Sequence, residues 1–321
     1  MNFKNSVYKN KNVLVTGATG LIGSHIVSNL LKKSANVRIT IHENPNFFGD
    51  SVEAITGDLK NYDFCEKAVA GMDYVFHCAA FSGGLGLQLN RPLDTFFPNL
   101  IMNTNLLEAS LRKNVDRFEF TSNNSVYPTS DDSMIEERGT EGVPFPIGYA
   151  SIKRMGELQS KLFHDNSEMK VAITRGGNAY GEYDNFDLDT SHVVPALIRK
   201  VVEKHNPLIV WGDGTQIRDY IYAEDLAEGI LLALENYANG EPINIGTGKT
   251  TTTKELIETI CDICDYKDVE IIFDETKLVG QKIKLIDITK CRNKLGFNAK
   301  TSLRDGLEKS INWFKQDVGN E

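Results

Sequence analysis

The stretch that most restricts the fold lies close to the N-terminus. Asn12–Thr16 (NVLVT) is a short, β-branched apolar run that passes directly into Gly17-Ala18-Thr19-Gly20-Leu21-Ile22-Gly23, and residues 21–31 then carry apolar side chains at helical spacing. Glycines at such a junction permit a sharp turn, let the backbone approach a pyrophosphate closely, and pack the helix against the sheet. The helix N-terminus adds N–H donors and the positive end of its dipole. Set between a strand and a helix at the head of a βαβ succession, the pattern predicts a dinucleotide-binding turn made by Gly17, Thr19, Gly20, Leu21, Ile22 and Gly23, rather than a merely structural turn.

The chain beyond it repeats the alternation. Residues 37–41 (VRITI), 74–78 (YVFHC), 118–121 and 171–174 (VAIT) are strand-like, and residues 103–112 and 149–163 are helical in pattern. Strands alternating with helices imply parallel pairing with both faces covered, a Rossmann-type doubly wound α/β sheet. After residue 180 the texture changes: 181–191 is polar and loop-like, 207–222 reads as short strands around Gly212-Asp213-Gly214, and 254–264 is helical. The expected organisation is a dinucleotide-binding domain over 1–180, then a lobe over 181–321 that is mainly for substrate, with segments returning to the main sheet. A length of 321 residues suits about two domains, and a cleft between them is a usual ligand site.

Composition removes several classes. Against 35 Lys+Arg stand 44 Asp+Glu, a net charge of −9, which argues against a nucleic-acid partner needing a basic face. No run reaches the ~18 apolar residues of a membrane span, and residues 1–10 are polar rather than a signal peptide. The five cysteines, at 65, 78, 261, 264 and 291, are odd in number and scattered. A reducing cytoplasm is the simplest reading. Cys261 and Cys264 form a CxxC, but inside a helical pattern with Leu256, Ile257 and Ile260 and with no second pair, so buried thiols are expected and no metal.

Three further segments concern the cofactor. Asp58-Leu59 follows the third strand-like run and His77-Cys78-Ala79-Ala80 the fourth. With the GxxGxxG spacing, these resemble the short-chain dehydrogenase/reductase superfamily. The resemblance implies that Asp58 and Leu59 meet the adenine, and that Cys78, Ala79 and Ala80 line the cofactor. The second strand ends in His42-Glu43. Glu43 could accept from a ribose hydroxyl, which favours NAD, and no Arg or Lys adjoins it to pair with a 2′-phosphate. His42 could contact one, so NADP stays open as the alternative.

Tyr149 and Lys153 open a helical pattern at i,i+4 and share one face. A phenol ordinarily ionises at about pH 10. A neighbouring ammonium and a positive nicotinamide ring favour its phenolate, which suits acid–base work, and Lys153 can also hold the nicotinamide ribose.

From here the resemblance covers nearly the whole chain and narrows to the extended, nucleotide-sugar branch of epimerases, dehydratases and reductases, and within it to the GDP-fucose synthases. The shared stretches are Ser82-Gly83-Gly84, Ser125-Val126-Tyr127-Pro128, Asn178-Ala179-Tyr180-Gly181, Asp184-Asn185-Phe186, Ser191-His192-Val193-Val194-Pro195 and Trp211-Gly212-Asp213-Gly214-Thr215 with Arg218. Carried over, Ser82, Gly83, Gly84, Asn178, His192 and Val193 lie near the sugar, Trp211 packs near the nucleotide, and Arg218 and Lys200 contact the diphosphate or guanosine. A homodimer or higher homo-oligomer through helices that include the one after Tyr149 is also implied.

The chain departs from that pattern twice. Four residues before Tyr127 the branch has a Ser or Thr, and here stands Asn123. An amide can donate to the sugar oxygen but cannot relay a proton as a hydroxyl can. Ser125 replaces the cysteine that acts as an epimerisation base in those enzymes, although His192, their acid, is kept. A serine hydroxyl without a dedicated base does not ionise near neutrality. The Asp-Glu pair of the 4,6-dehydratases is also missing. What remains is NAD(P)-dependent redox chemistry at C4 of a GDP-linked sugar of manno-hexose or manno-heptose type, in either direction, for surface-polysaccharide sugar biosynthesis. The expected catalytic set is Tyr149, Lys153, Asn123, Ser125 and His192. A 4-epimerase with retained NAD and a non-catalytic dinucleotide-binding protein are the alternatives.

Overall fold

Period-two alternation builds the central sheet. In β1 (Asn12–Thr16), Val13 and Val15 point into one apolar layer and Leu14 into the opposite one. The computed structural model describes residues 6–129, 133–277 and 279–318; the first five residues of the polar N-terminal stretch lie outside them. After β1 come α1 (Leu21–Lys32), β2 (Asn36–Ile41), β3 (Glu53–Thr56), α2 (Tyr62–Val69), β4 (Tyr74–His77), α3 (Leu85–Asn90), α4 (Pro92–Arg112), β5 (Arg117–Asn123), α5 (Ile147–Asp165) and β6 (Lys170–Gly176). There follow β7 (Asn178–Tyr180), α6 (Val193–Val202), β8 (Leu208–Trp211), β9 (Ile217–Arg218), β10 (Tyr220–Tyr222), α7 (Ala223–Asn236) and β11 (Pro242–Ile245). The chain closes with β12 (Thr251–Thr252), α8 (Thr253–Ile263), β13 (Ile271–Asp274), β14 (Ile283–Lys284), α9 (Thr289–Leu295) and α10 (Leu303–Trp313).

Seven strands pair in parallel in the order β3-β2-β1-β4-β5-β6-β11. This is the expected Rossmann-type sheet, with a seventh strand that arrives from beyond residue 240. One layer joins Ile26, Val27 and Leu30 of α1 to Ile230 and Leu234 of α7. The other joins Val69 of α2 and Leu106 and Leu107 of α4 to Phe118 and Phe120 of β5. A third core lies in the later half, where Leu197 and Ile198 of α6 meet Ile257 and Ile260 of α8 and Leu307 and Ile311 of α10.

Boundaries differ where proline and packing decide them. The helical pattern at 103–112 is the end of α4, which begins at Pro92, where a proline's missing N–H costs nothing. It runs through Pro98, and in that turn Asn99 Nδ2 donates to the Thr95 carbonyl at 2.5 Å. The strand-like run at 118–121 extends to Asn123, since β6 continues beside it as far as Gly176.

Candidate active site

Strand order reverses between β1 and β4, and a crevice opens at the carboxyl ends of the strands on either side of such a point. Gly17 sits at this mouth with φ +63°, a conformation that costs a side chain. A Cβ there would lie 2.7 Å from the Ala79 nitrogen, and one on Gly23 would overlap the Gly17 carbonyl. The turn therefore packs against the Cys78-Ala79-Ala80 segment. Gly20 caps α1 with no side chain, which leaves the helix's first N–H groups facing the crevice beside Thr19, Leu21 and Ile22. The donor set and the two glycine contacts suit a dinucleotide pyrophosphate.

His77 fixes the neighbouring segment. Its Nε2–H donates to Asn103 Oδ1 at 2.8 Å, its Nδ1 accepts from Thr16 Oγ1 at 2.9 Å, and Thr16 Oγ1 accepts from the Ala79 N–H at 3.2 Å. Burial lowers His77 to about 4, so the ring is neutral and this single tautomer satisfies the chain of bonds. Burial pushes the Cys78 thiol up, so it lines the crevice as an inert group.

At the ends of β2 and β3, His42, Glu43 and Asp58 gather, with Leu59 turned into the core. His42 lies 3.7 Å from Glu43 and 3.9 Å from Asp58. The end of β2 itself carries no Arg or Lys, but a lysine stands nearby on the next segment. β2 and β3 are neighbours, and the loop after β3 returns Lys60 to within 3.3 Å of Asp58. Burial alone would raise the Asp58 carboxyl, but hydrogen bonds from Lys60 and the charges of Lys60 and His42 hold it below the usual carboxylate range.

The catalytic candidates converge where β5 ends against the first turn of α5. Tyr149 and Lys153 are both buried, and the Lys153 Nζ lies 5.8 Å from the Tyr149 ring centroid and donates to the Thr121 carbonyl at 2.7 Å. Asn123 Nδ2 donates to Tyr149 Oη at 3.3 Å. Ser125 turns back on Asn123, donating from its backbone N–H at 3.0 Å and its Oγ at 2.5 Å to the same Oδ1. Beneath them Glu119, buried and accepting from Thr121 and Thr174, is raised by burial to about 8.

The substrate candidates fall into three groups. Ser82, Gly83 and Gly84 lie against the loop that leads to His192: the Gly84 N–H donates to the Thr190 carbonyl at 2.8 Å, and a Cβ on Gly83 would meet that same carbonyl at 3.0 Å. His192 and Val193 open α6, and desolvation lowers the His192 imidazole below its usual value. The His192 side chain has no hydrogen-bond partner among the described residues, while Ser125 is bonded to Asn123. Asn178 is held by the Asp219 carbonyl, to which its Nδ2 donates at 3.1 Å. Lys200 Nζ donates to the Ile209 carbonyl at 2.9 Å on the strand that ends at Trp211, whose ring is 47% exposed and free to stack.

Arg218 has a neighbour that the motifs did not reveal. β9 and β14 pair so that Lys284 stands directly beside Arg218, and burial together with the Arg218 charge lowers Lys284 to about 8. Among the described residues neither cation, nor Lys200, has a carboxylate within ion-pairing distance. Adjacent, desolvated like charges without counter-ions await an anion. Lys284 escaped notice because a lone lysine carries no spacing signal; only strand pairing brings it there.

The comparisons agree with this geometry. A GDP-L-fucose synthase from Sinorhizobium fredii is 31% identical over 317 residues, covering 97% of both chains. A GDP-L-colitose synthase from Yersinia pseudotuberculosis is 29% identical, over 96% of this chain and 99% of its own. Among solved structures, UDP-glucose 4-epimerase from Thermotoga maritima with UDP-glucose superimposes with a TM-score of 0.86 at 26% identity, covering 96% of this chain and 99% of that one. Residues 13–246 match the NAD dependent epimerase/dehydratase family. The chain belongs to that family, the nucleotide-sugar branch of the extended short-chain dehydrogenases/reductases, and is an NAD(P)-dependent enzyme.

Proposed function

We propose that the protein is an oxidoreductase acting at C4 of a GDP-linked sugar of manno-hexose or manno-heptose type, as a 4-dehydrogenase or a 4-keto reductase supplying surface-polysaccharide sugars. The observation that carries the reading is the Asn123–Tyr149–Lys153 cluster, complete in its contacts, together with Ser125 bonded to Asn123 rather than to a base. Tyr149 exchanges the hydroxyl proton, Lys153 holds the ribose and favours the phenolate, and Arg218, Lys284 and Lys200 take the diphosphate. When bound, the nicotinamide accepts or returns the C4 hydride. A serine so placed does not act as the base for C3 or C5 epimerisation, which separates this reading from the epimerase-reductase chemistry that the resemblance to the fucose synthases implies. Glu43 beside the ribose position supports NAD, while Lys60 at the same strand ends keeps NADP as the alternative.

Incubation with NAD or NADP and GDP-mannose-type sugars, following reduced-nicotinamide absorbance and product identity, tests the proposal. Net oxidation or reduction at C4 is expected, and Tyr149→Phe lowers kcat by about 10²–10⁴-fold while still binding cofactor. Full turnover by Tyr149→Phe refutes the mechanism. The second reading, a 4-epimerase with retained NAD, is supported by the similarity to the Thermotoga maritima enzyme and requires an epimer without net cofactor change. Identical cofactor binding with no reaction on any sugar marks the non-catalytic alternative.

A homodimer through α4 and α5 accompanies the proposal. Leu93, Phe97 and Ile101 on α4, with Met155, Leu158 and Leu162 on α5, are exposed at helical spacing on two packed helices. Light scattering on the wild type and on Leu158→Glu tests it, a monomer being expected only for the variant. No helix among the described residues is long and apolar enough to cross a membrane; a cytoplasmic site of action is part of the proposed reading.

A further inference from the structure

Asn123 occupies the position from which the reacting sugar oxygen is reached beside Tyr149, and its amide is held in a single orientation. Its Oδ1 faces the Ser125 backbone N–H at 3.0 Å, and a backbone N–H can only donate, so the atom opposite it must be the oxygen. The Ser125 hydroxyl donates to the same Oδ1 at 2.5 Å. With the oxygen taken twice, Nδ2 is turned towards Tyr149, to which it donates at 3.3 Å. The second Nδ2 hydrogen has no protein acceptor among the described residues, and Asn123 is only partly buried, at the end of β5. The site therefore offers, next to the proton-transferring phenol, a fixed N–H that can give a hydrogen bond but cannot accept one.

We infer that Asn123 is an oxyanion donor for the reacting C4 oxygen, and that Ser125 is the positioning residue that aims it. The inference rests on the proposed C4 redox reading. In the oxidising direction the C4 hydride passes to the nicotinamide and the O–H proton to the Tyr149 phenolate, leaving a ketone; reduction reverses both transfers. Asn123 keeps both of its protons throughout. Its N–H bonds best to the alkoxide-like oxygen that forms as the O–H proton leaves in oxidation, or as hydride arrives in reduction, so its contribution belongs to the transition state rather than to ground-state binding. Ser125, in the place where a thiol would serve as a base, is thereby engaged in a structural bond. The same two hydrogen bonds that orient the amide leave no Ser125 proton free for the sugar.

Three variants of the holoenzyme test this. Asn123→Asp keeps the shape and removes the donor, and kcat is expected to fall by about 10²–10³-fold, with KM for the GDP sugar and cofactor Kd within about twofold, as a transition-state contact requires. Ser125→Ala removes the hydroxyl bond to Oδ1 and leaves the backbone N–H bond, so the amide is loosened rather than released, and kcat is expected to fall by about tenfold, again with KM nearly unchanged. Ser125→Thr, which keeps the hydroxyl, should recover activity to within about threefold of wild type. Wild-type kcat in Ser125→Ala, or a rise in KM that accounts for the whole loss in Asn123→Asp, overturns the assignment.

A readout without turnover separates the inference from the reading beneath it. The Asn123 side-chain amide gives a pair of ¹⁵N–¹H signals, identified by their absence from Asn123→Asp, and the exchange protection of the one hydrogen that bonds Tyr149 should fall at least about tenfold in Ser125→Ala. Unchanged protection overturns the lock. Intact locking in a protein that turns over no GDP sugar refutes the C4 reading and leaves the lock established.

Discussion

Replacing Arg175 probes the scaffold behind the catalytic strand. Its guanidinium is almost wholly buried on β6, with Nε 2.8 Å from Glu157 Oε1 and Nη2 2.7 Å from Glu157 Oε2; Nη1 donates to the Tyr127 hydroxyl at 3.1 Å and to the Glu136 carbonyl at 2.8 Å. Burial alone would favour loss of its proton, but the adjoining Glu157 charge outweighs this and keeps it protonated. Arg175→Met leaves the Glu157 carboxylate buried with the Ser122 hydroxyl, which donates to it at 2.6 Å, as its remaining hydrogen-bond partner among the described residues. Removing one partner of such a pair costs about 3–5 kcal/mol. At about 2 °C per kcal/mol for a chain of this size, Tm falls by about 6–10 °C. The double variant Arg175→Met/Glu157→Leu removes both charges. It orphans only the Ser122 hydroxyl and the Glu136 carbonyl, at about 1 kcal/mol each, because Tyr127 keeps its bond to Asn244 at 2.6 Å. It should therefore lie only about 2 kcal/mol below wild type, and be more stable than the single variant. Urea denaturation of the three proteins measures this, and a double variant as unstable as Arg175→Met, or more so, refutes the reasoning.

Three other outcomes follow from the same geometry. Glu119 has a folded pKa raised by burial to about 8 against an ordinary 4.5, so its contribution to stability is present below 4.5 and is lost as pH rises through 8. Wild-type Tm should decline over that window relative to Glu119→Gln, and parallel curves would contradict it. Lys284, lowered by burial to about 8, loses its charge above that pH in the free enzyme, so KM for the sugar nucleotide should rise there. Lys284→Arg should flatten the rise, and a KM independent of pH in the wild type would remove Lys284 from the diphosphate site. Gly17→Ala places a Cβ 2.7 Å from the Ala79 nitrogen at a left-handed φ that costs about 1–2 kcal/mol, and cofactor Kd should rise at least about tenfold by calorimetry.

The glycine turn, the alternation of strands and the Tyr149/Lys153 pair were legible because each is local: spacing along the chain fixes which groups share a face or a turn. What sequence could not supply was set by pairing between distant segments. Asp58, with Lys60 beside it, reaches His42 because β2 and β3 lie side by side, and Lys284 reaches Arg218 through a two-residue parallel pairing. Asn123 could be recognised as a departure from its relatives, but its orientation depends on which atom faces the Ser125 N–H, and only coordinates give that.

The return of β11 to the sheet bears on how such a chain can be divided. Between β6 and β11 the polypeptide leaves the sheet, builds β7 to β10 with α6, and contributes α7 on its way back. Ile230 and Leu234 of α7, Ile243 and Ile245 of β11 and Phe297 near the C-terminus share one apolar layer with Ile26 and Leu30 of α1. A cut after Tyr180 would leave β6 with an unpaired edge and strip that layer of its second helix. A single break there leaves a core on each side but divides the layer that α1 shares with α7 and β11, so the lobe proposed to select the sugar cannot be exchanged between relatives as one contiguous segment without splitting that layer. Recombination that retains the sheet has to make two junctions, one near Gly177 and one before Ala223, and must carry residues beyond Ile245 separately.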